Sequence, residues 1–181
     1  MAEKPDFVDA WLTARGELER VFEHLDRQEY VSFAEDLAGA SGRVFFTGQG
    51  RSGLAAQMAA MRFMHIGKTA HFVGEATAPA VRRGDTLVIV SGSGKTPVSV
   101  EFGRVAKAEG ASVLLVTHRG RSPLRDLADR QVTIPVAGTV QFGGTLFEQS
   151  ALVLLDSVVL HMMSTVQDPF ALMWHNHTNL Q

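Results

Sequence analysis

The sequence predicts an α/β fold with a doubly wound parallel sheet, and three observations carry that expectation. Five short apolar runs, at 43–47 (RVFFT), 69–73 (TAHFV), 86–90 (TLVIV), 112–117 (SVLLVT) and 131–136 (QVTIPV), do not alternate with polar residues. Strands of that kind are covered on both faces. Most of the runs lead through turn residues into a helical stretch, and strands alternating with helices build a parallel sheet. Glycine-rich segments follow two of the strands directly, at the carboxyl ends where such sheets hold ligands.

Ahead of the first strand, Phe7, Val8, Trp11, Leu12, Leu18, Val21, Phe22 and Leu25 recur at helical spacing. They predict an amphipathic helix over 7–25, with a second over about 29–39. Further helices are expected at 54–66 and 97–109, after the first and third strands. The last and most apolar helix spans about 144–166, GTLFEQSALVLLDSVVLHMMSTV. As a membrane span it is broken by Glu148, Asp156 and His161, short of the roughly 20 residues required. A helix apolar on nearly all sides must be buried on nearly all sides, so a subunit interface is expected to cover it. The chain divides into N-terminal helices (1–40), a core (41–166) and a tail (167–181), all within one domain spanning 1–181.

Composition narrows the function. At 181 residues and 45% hydrophobic, the chain can fill a full core. Seventeen basic against nineteen acidic residues, with no charged tail, argue against a general nucleic-acid binder. The absence of cysteine excludes disulfides, thiolate metal sites and a cysteine nucleophile. The start, MAEKPDFVDAWL, has no signal-peptide layout, so a cytoplasmic location is the expectation.

The first glycine loop is Thr47-Gly48-Gln49-Gly50-Arg51-Ser52-Gly53. Gly48, Gly50 and Gly53 formally match the dinucleotide fingerprint, with Glu75 at about the distance of a ribose-binding acid. The second is Ser91-Gly92-Ser93-Gly94-Lys95-Thr96. It is not a P-loop, because the required first glycine would fall at Ile89. Ser91, Ser93 and Thr96 can simply cap the following helix, or can surround a phosphate with hydroxyl and backbone donors at a helix start. A nicotinamide enzyme needs only the first loop. Two loops facing one small pocket fit a sugar phosphate better.

The succession GQGRSG, VGEATAP, SGSGKT and GTLFEQSALVLLDSVV resembles the SIS (sugar isomerase) domain family over residues 40–181. The stretches MRFMHIGKTAHFVGE and HNHTNLQ are similar to its 6-phospho-3-hexuloisomerase subfamily. The resemblance implies a three-layer α/β/α sandwich on a five-stranded flavodoxin-like sheet. It also implies a homotetramer with active sites shared between subunits, the tail docking on a neighbour. The implied reaction interconverts D-arabino-3-hexulose 6-phosphate and fructose 6-phosphate, with no metal or other cofactor. Lys95 stands where the family's second loop usually has an acid, which puts any role of that acid in doubt here.

That reaction moves a carbonyl from C3 to C2 through an enediolate. A base takes the C2 proton and a proton returns at C3. With O6 phosphorylated, the 3-ketose cannot close a five-membered ring, so no ring-opening acid is required. Glu148, after Gly143-Gly144 and resembling the family's TMFE-type glutamate, is the candidate base. The helix dipole alone also favours an acid there and lowers its pKa, while burial raises it. His177 in the tail is expected to reach a neighbouring active site as acid/base or orienting group. His65 is a second candidate, although an imidazolium also suits a helix C-terminus. Arg51 is expected to pair with phosphate or the enediolate oxygen, or to be a solvated helix-start arginine. Gly48, Gly50, Ser52, Ser91, Ser93 and Thr96 are expected to bind substrate and phosphate, and Glu75 to order loops or touch substrate hydroxyls. Arg82-Arg83 and Arg119, Arg121 and Arg125 are read as solvated faces or interface salt bridges. Alternatives are an isomerase of arabinose 5-phosphate or a heptose phosphate, and a non-catalytic sugar-phosphate sensor. A sensor would need neither Glu148 nor the tail histidine.

Overall fold

A computed structural model describes residues 6–180. In chain order the elements are α1 (Phe7–Glu23), α2 (Arg27–Ala38), β1 (Val44–Gly48), α3 (Arg51–His65), β2 (Ala70–Phe72), β3 (Thr86–Val90), α4 (Pro97–Ala108), β4 (Ser112–Thr117), α5 (Pro123–Leu127), β5 (Arg130–Thr133), α6 (Thr145–Ser164) and α7 (Pro169–Asn176). The five strands are all parallel, in the order β2-β1-β3-β4-β5. This is the expected α/β/α sandwich, and its strand order reverses between β1 and β3.

The two-residue period of the strands divides the core. Val44, Phe46, Val88, Val90, Leu114 and Val116 face one layer, where Phe33, Leu37, Ala59, Phe63 and Leu155 pack against them. Phe45, Leu87, Ile89, Val113 and Leu115 face the other, against Val100, Ala106 and Leu124. Each such side chain contributes about 1.5–3 kcal/mol on burial. Both faces are covered, as the unbroken apolar runs require.

Three expectations need correction. The fifth strand stops at Thr133. The Ile134 N–H still donates to the Thr117 carbonyl at 2.8 Å, but Pro135 has no N–H to extend the ladder. Helices α5 and α7 were not foreseen; each opens on a capping residue followed by proline, Ser122-Pro123 and Asp168-Pro169. The polar residues of α6 do not exclude a membrane span, since the helix is long and apolar enough to make one by length and composition. What argues against it is position: Leu146, Ala151, Leu154, Leu155 and Val158 are built into the core. Within the chain α6 is not covered on every side, because Val153 and Leu160 remain exposed; this agrees with the expectation that something beyond its own chain covers it.

The start of the tail packs on its own chain. Leu172 and Met173 of α7 pack against the core, and Asn176 Nδ2 donates to the His65 carbonyl at 3.0 Å.

Candidate active site

Gly48 ends β1 opposite Val90 at the end of β3, so the two glycine loops leave the sheet side by side at its switch point. A ligand crevice belongs there. Together with the β4–α5 turn and the start of α6, the loops enclose a cleft of about 700 Å³.

The helices that open on this cleft are uncapped. Gly50, Thr96 and Gly144 stand at the N-caps of α3, α4 and α6, and none makes a side-chain cap bond. The other four helices are all capped, by Asp6, Asp26, Ser122 and Asp168. First-turn N–H groups have no intrahelical partner, so three positive helix ends and their donors are left for an anion.

Glycine makes the first loop possible. A Cβ on Gly48 would lie 2.7 Å from the Ser52 carbonyl oxygen and 2.9 Å from the Gly53 nitrogen, both backbone atoms that cannot move aside. In the second loop the hydroxyls stabilise the turn rather than cap the helix. Ser91 Oγ accepts from the Gly94 N–H and Ser93 Oγ from the Lys95 N–H, each at 3.2 Å. The side chain of Thr96, the N-cap residue itself, makes no cap bond and lines the cleft.

Glu148 and Arg51, 97 positions apart, meet at the cleft. Arg51 Nε donates to Glu148 Oε2 at 2.6 Å, with the carboxylate side chain 16% exposed and the guanidinium 62% exposed. The first turns of α3 and α6 bring them together, so Arg51, although exposed, is paired rather than free. Ser52, Ser91, Ser93 and Thr96 line the same cleft.

Three expected residues lie elsewhere in the chain. Glu75 follows β2 and lines a separate, mostly apolar cavity of about 250 Å³ with Phe45 and Phe102. His65 ends the 15-residue helix that Arg51 begins, about 20 Å away at 1.5 Å per residue. There the His177 ring stacks on it, with centroids 5.1 Å apart. Burial, then the Arg62 charge and the facing His177, hold the His65 pKa below the ordinary histidine value.

Other residues were missed. Arg119 and Arg121, read as surface or interface charges, line the cleft with Lys95, and none of the three has an ion-pair partner among the described residues. Their position just after β4, beside the switch point, was the available signal. Arg125 is not solvated either. Its guanidinium donates to the His118 carbonyl at 3.0 Å and Thr133 Oγ1 at 2.8 Å, fastening that turn. Arg82 pairs with Glu109 on the surface, as expected.

Residues 36–166 match the SIS domain family. The chain is a SIS-domain protein. This SIS domain is 40% identical over 148 residues to a 3-hexulose-6-phosphate isomerase of Mycobacterium gastri, covering 77% of this chain and 74% of that one. It is 33% identical to the Bacillus subtilis protein of the same name, covering 91% and 94% of the two chains. In structure it resembles a hypothetical protein from Methanococcus jannaschii, whose crystal structure was taken to infer a 3-hexulose-6-phosphate isomerase function. The TM-score is 0.84 at 26% identity, covering 95% of this chain and 99% of that one.

Proposed function

We propose that this SIS domain is a 3-hexulose-6-phosphate isomerase, interconverting D-arabino-3-hexulose 6-phosphate and fructose 6-phosphate. The relatives' names supply the substrate. The observation that carries the chemistry is the 2.6 Å Arg51–Glu148 pair facing an uncapped, hydroxyl-lined phosphate cradle in one cleft.

The phosphate sits at the α4 N-terminus, among the Ser93 and Thr96 hydroxyls and first-turn N–H groups, with Lys95, Arg119 and Arg121 supplying positive charge. Gly48, Gly50 and Ser52 leave room for the sugar chain. Glu148 takes the C2 proton and becomes neutral. As it loses its charge, Arg51 is released to the enediolate oxygen growing at O3, where charge stabilisation counts most. The hydroxyl proton passes from O2 to O3. Glu148 then returns its proton to C3, leaving the carbonyl at C2 and the base regenerated.

His65 and His177 cannot reach this cleft within the chain, so their catalytic part is played in trans, at the cleft of a second copy. Support for such an assembly lies on α3 and α6. Leu54, Met58 and Met61 form one exposed apolar stripe, next to exposed Val153 and Leu160. Apolar surface of that extent is an interaction site, and a homotetramer with shared active sites covers it. Glu75, away from the cleft of its own chain, orders the turn after β2.

The test couples the protein to a 3-hexulose-6-phosphate synthase with formaldehyde and ribulose 5-phosphate, and follows fructose 6-phosphate. Product formation is expected. No product, with arabinose 5-phosphate turned over instead, would sink the reading.

A further inference from the structure

Glu17 is a buried acid that the proposed chemistry does not use. It lies on the inner side of α1 and is 3% exposed. Among the described residues it meets no cation at ion-pair distance. Instead three consecutive residues of the β5–α6 connection converge on it. Its Oε1 accepts the Val140 N–H at 2.8 Å, and its Oε2 accepts the Thr139 hydroxyl at 2.7 Å and Gln141 Nε2 at 2.8 Å. Thr139 Oγ1 also accepts the Gln141 N–H at 2.9 Å, closing the cluster. Burying a carboxylate is costly unless its oxygens are satisfied; here the loop satisfies them and is held in return.

Little else holds that loop. Between residues 137 and 143, the loop's hydrogen bonds to described elements end on Glu17, apart from those that Thr145, the first residue of the adjoining α6, donates to the Phe142 carbonyl at 3.3 Å from its N–H and 2.7 Å from its Oγ1. Packing does not substitute, because Val140 and Phe142 are 82% and 94% exposed. Yet the loop runs directly into Gly143 and Gly144, which wall the cleft. Gly144 accepts the Glu148 N–H at 2.9 Å, and a Cβ on it would lie 3.2 Å from Glu148 Oε1. The placement of this glycine pair therefore sets where the Glu148 carboxylate can lie.

We propose that Glu17 is a positioning residue for the isomerisation. It anchors the 139–141 turn to α1 and thereby fixes Gly143–Gly144 and the Glu148 carboxylate. The inference rests on Glu148 being the base. Its signature is a split: the phosphate cradle at 91–96 is untouched, so kcat falls while KM holds.

The test compares wild type with Glu17→Ala, Glu17→Gln and Gln141→Ala by coupled kinetics, thermal unfolding and amide hydrogen exchange. Glu17→Ala is expected to lower kcat about 10–100-fold, from the cost of displacing a catalytic group by up to about 1 Å, with KM changed less than about threefold. Exchange should quicken in 138–144 and not in 91–96. Glu17→Gln should recover most of the activity: its carbonyl accepts from Val140, its amide donates to Thr139 Oγ1, and the Gln141 amide flips to accept. Gln141→Ala, which leaves α1 intact, should move both readouts the same way by less. The proposal is overturned by a Glu17→Ala enzyme with wild-type kcat or unchanged loop exchange. It is equally overturned if Glu17→Ala fails to fold while Gln141→Ala leaves both readouts at wild-type values. A wild type that forms no fructose 6-phosphate fails the functional reading. An active wild type matched in kcat by Glu17→Ala fails this one alone.

Discussion

Replacing Glu148 with glutamine separates its two roles by magnitude. The amide keeps the carboxylate's shape, so the packing around the start of α6 is preserved. What disappears is one charge, with it the ionic part of the 2.6 Å bond from Arg51, and the ability to hold a proton taken from carbon. The Arg51 side chain is 62% exposed, and water screens a pair of that kind to at most about 1 kcal/mol. In a domain of this size that lowers Tm by about 2–4 °C. Losing a general base costs about 10²–10⁴ in rate, or roughly 3–5 kcal/mol of transition-state stabilisation. Chemistry should therefore suffer several times more than stability. The coupled fructose 6-phosphate assay and a thermal melt on the same preparation decide it. Turnover within about threefold of wild type removes Glu148 as the base. A melting loss beyond about 10 °C makes its role structural and refutes the reasoning just as firmly.

Four further outcomes are expected. Gly144→Ala places a Cβ 3.2 Å from Glu148 Oε1 at a backbone angle, φ −88°, that alanine adopts freely. It should cost about 3–10-fold in kcat by shifting the carboxylate a few tenths of an ångström, with Tm unchanged. Arg119→Ala and Arg121→Ala should raise KM, and more so at low salt where phosphate attraction is least screened; a fall in kcat at constant KM contradicts the assignment. His65 has its folded-state pKa below the unfolded value of about 6.5. Its neutral form therefore supports the folded state fully above that pH, and the support is lost as pH falls through the lower folded value; an NMR titration midpoint above 6.5 contradicts the sign. Deleting residues 175–181 should leave a folded protein with little turnover, and unchanged kinetics would take His177 out of the reaction.

Local sequence carried the sheet well. Runs such as TLVIV and SVLLVT had one physical solution, burial on both faces between helices, and both became central strands. Local signals for α5 and α7 were also present in Ser122-Pro123 and Asp168-Pro169, each a cap followed by proline at the first helical position. They were overlooked because neither segment carries a long apolar period. That the glycine loops meet at one cleft was legible too, because both follow strands at the carboxyl end of the sheet, beside its switch point. Arg119 and Arg121 were not. A charge on a loop reads alike whether it faces solvent or a cleft until the neighbouring loops are in place.

The sequence by itself determined the layers, the site of the cleft and the residue types that line it, because strand burial, helix starts and turns are set by neighbours within a few positions. Tertiary structure alone decided the pairings. Arg51 meets Glu148 across 97 positions, and Glu17 gathers Thr139, Val140 and Gln141 across more than 120. His65 and His177 stack about 20 Å from the Arg51 cleft. None of these contacts has a local signature. Each depends on how α1, α3 and α6 are set against the sheet and one another, and that arrangement is fixed by the shape of the whole core.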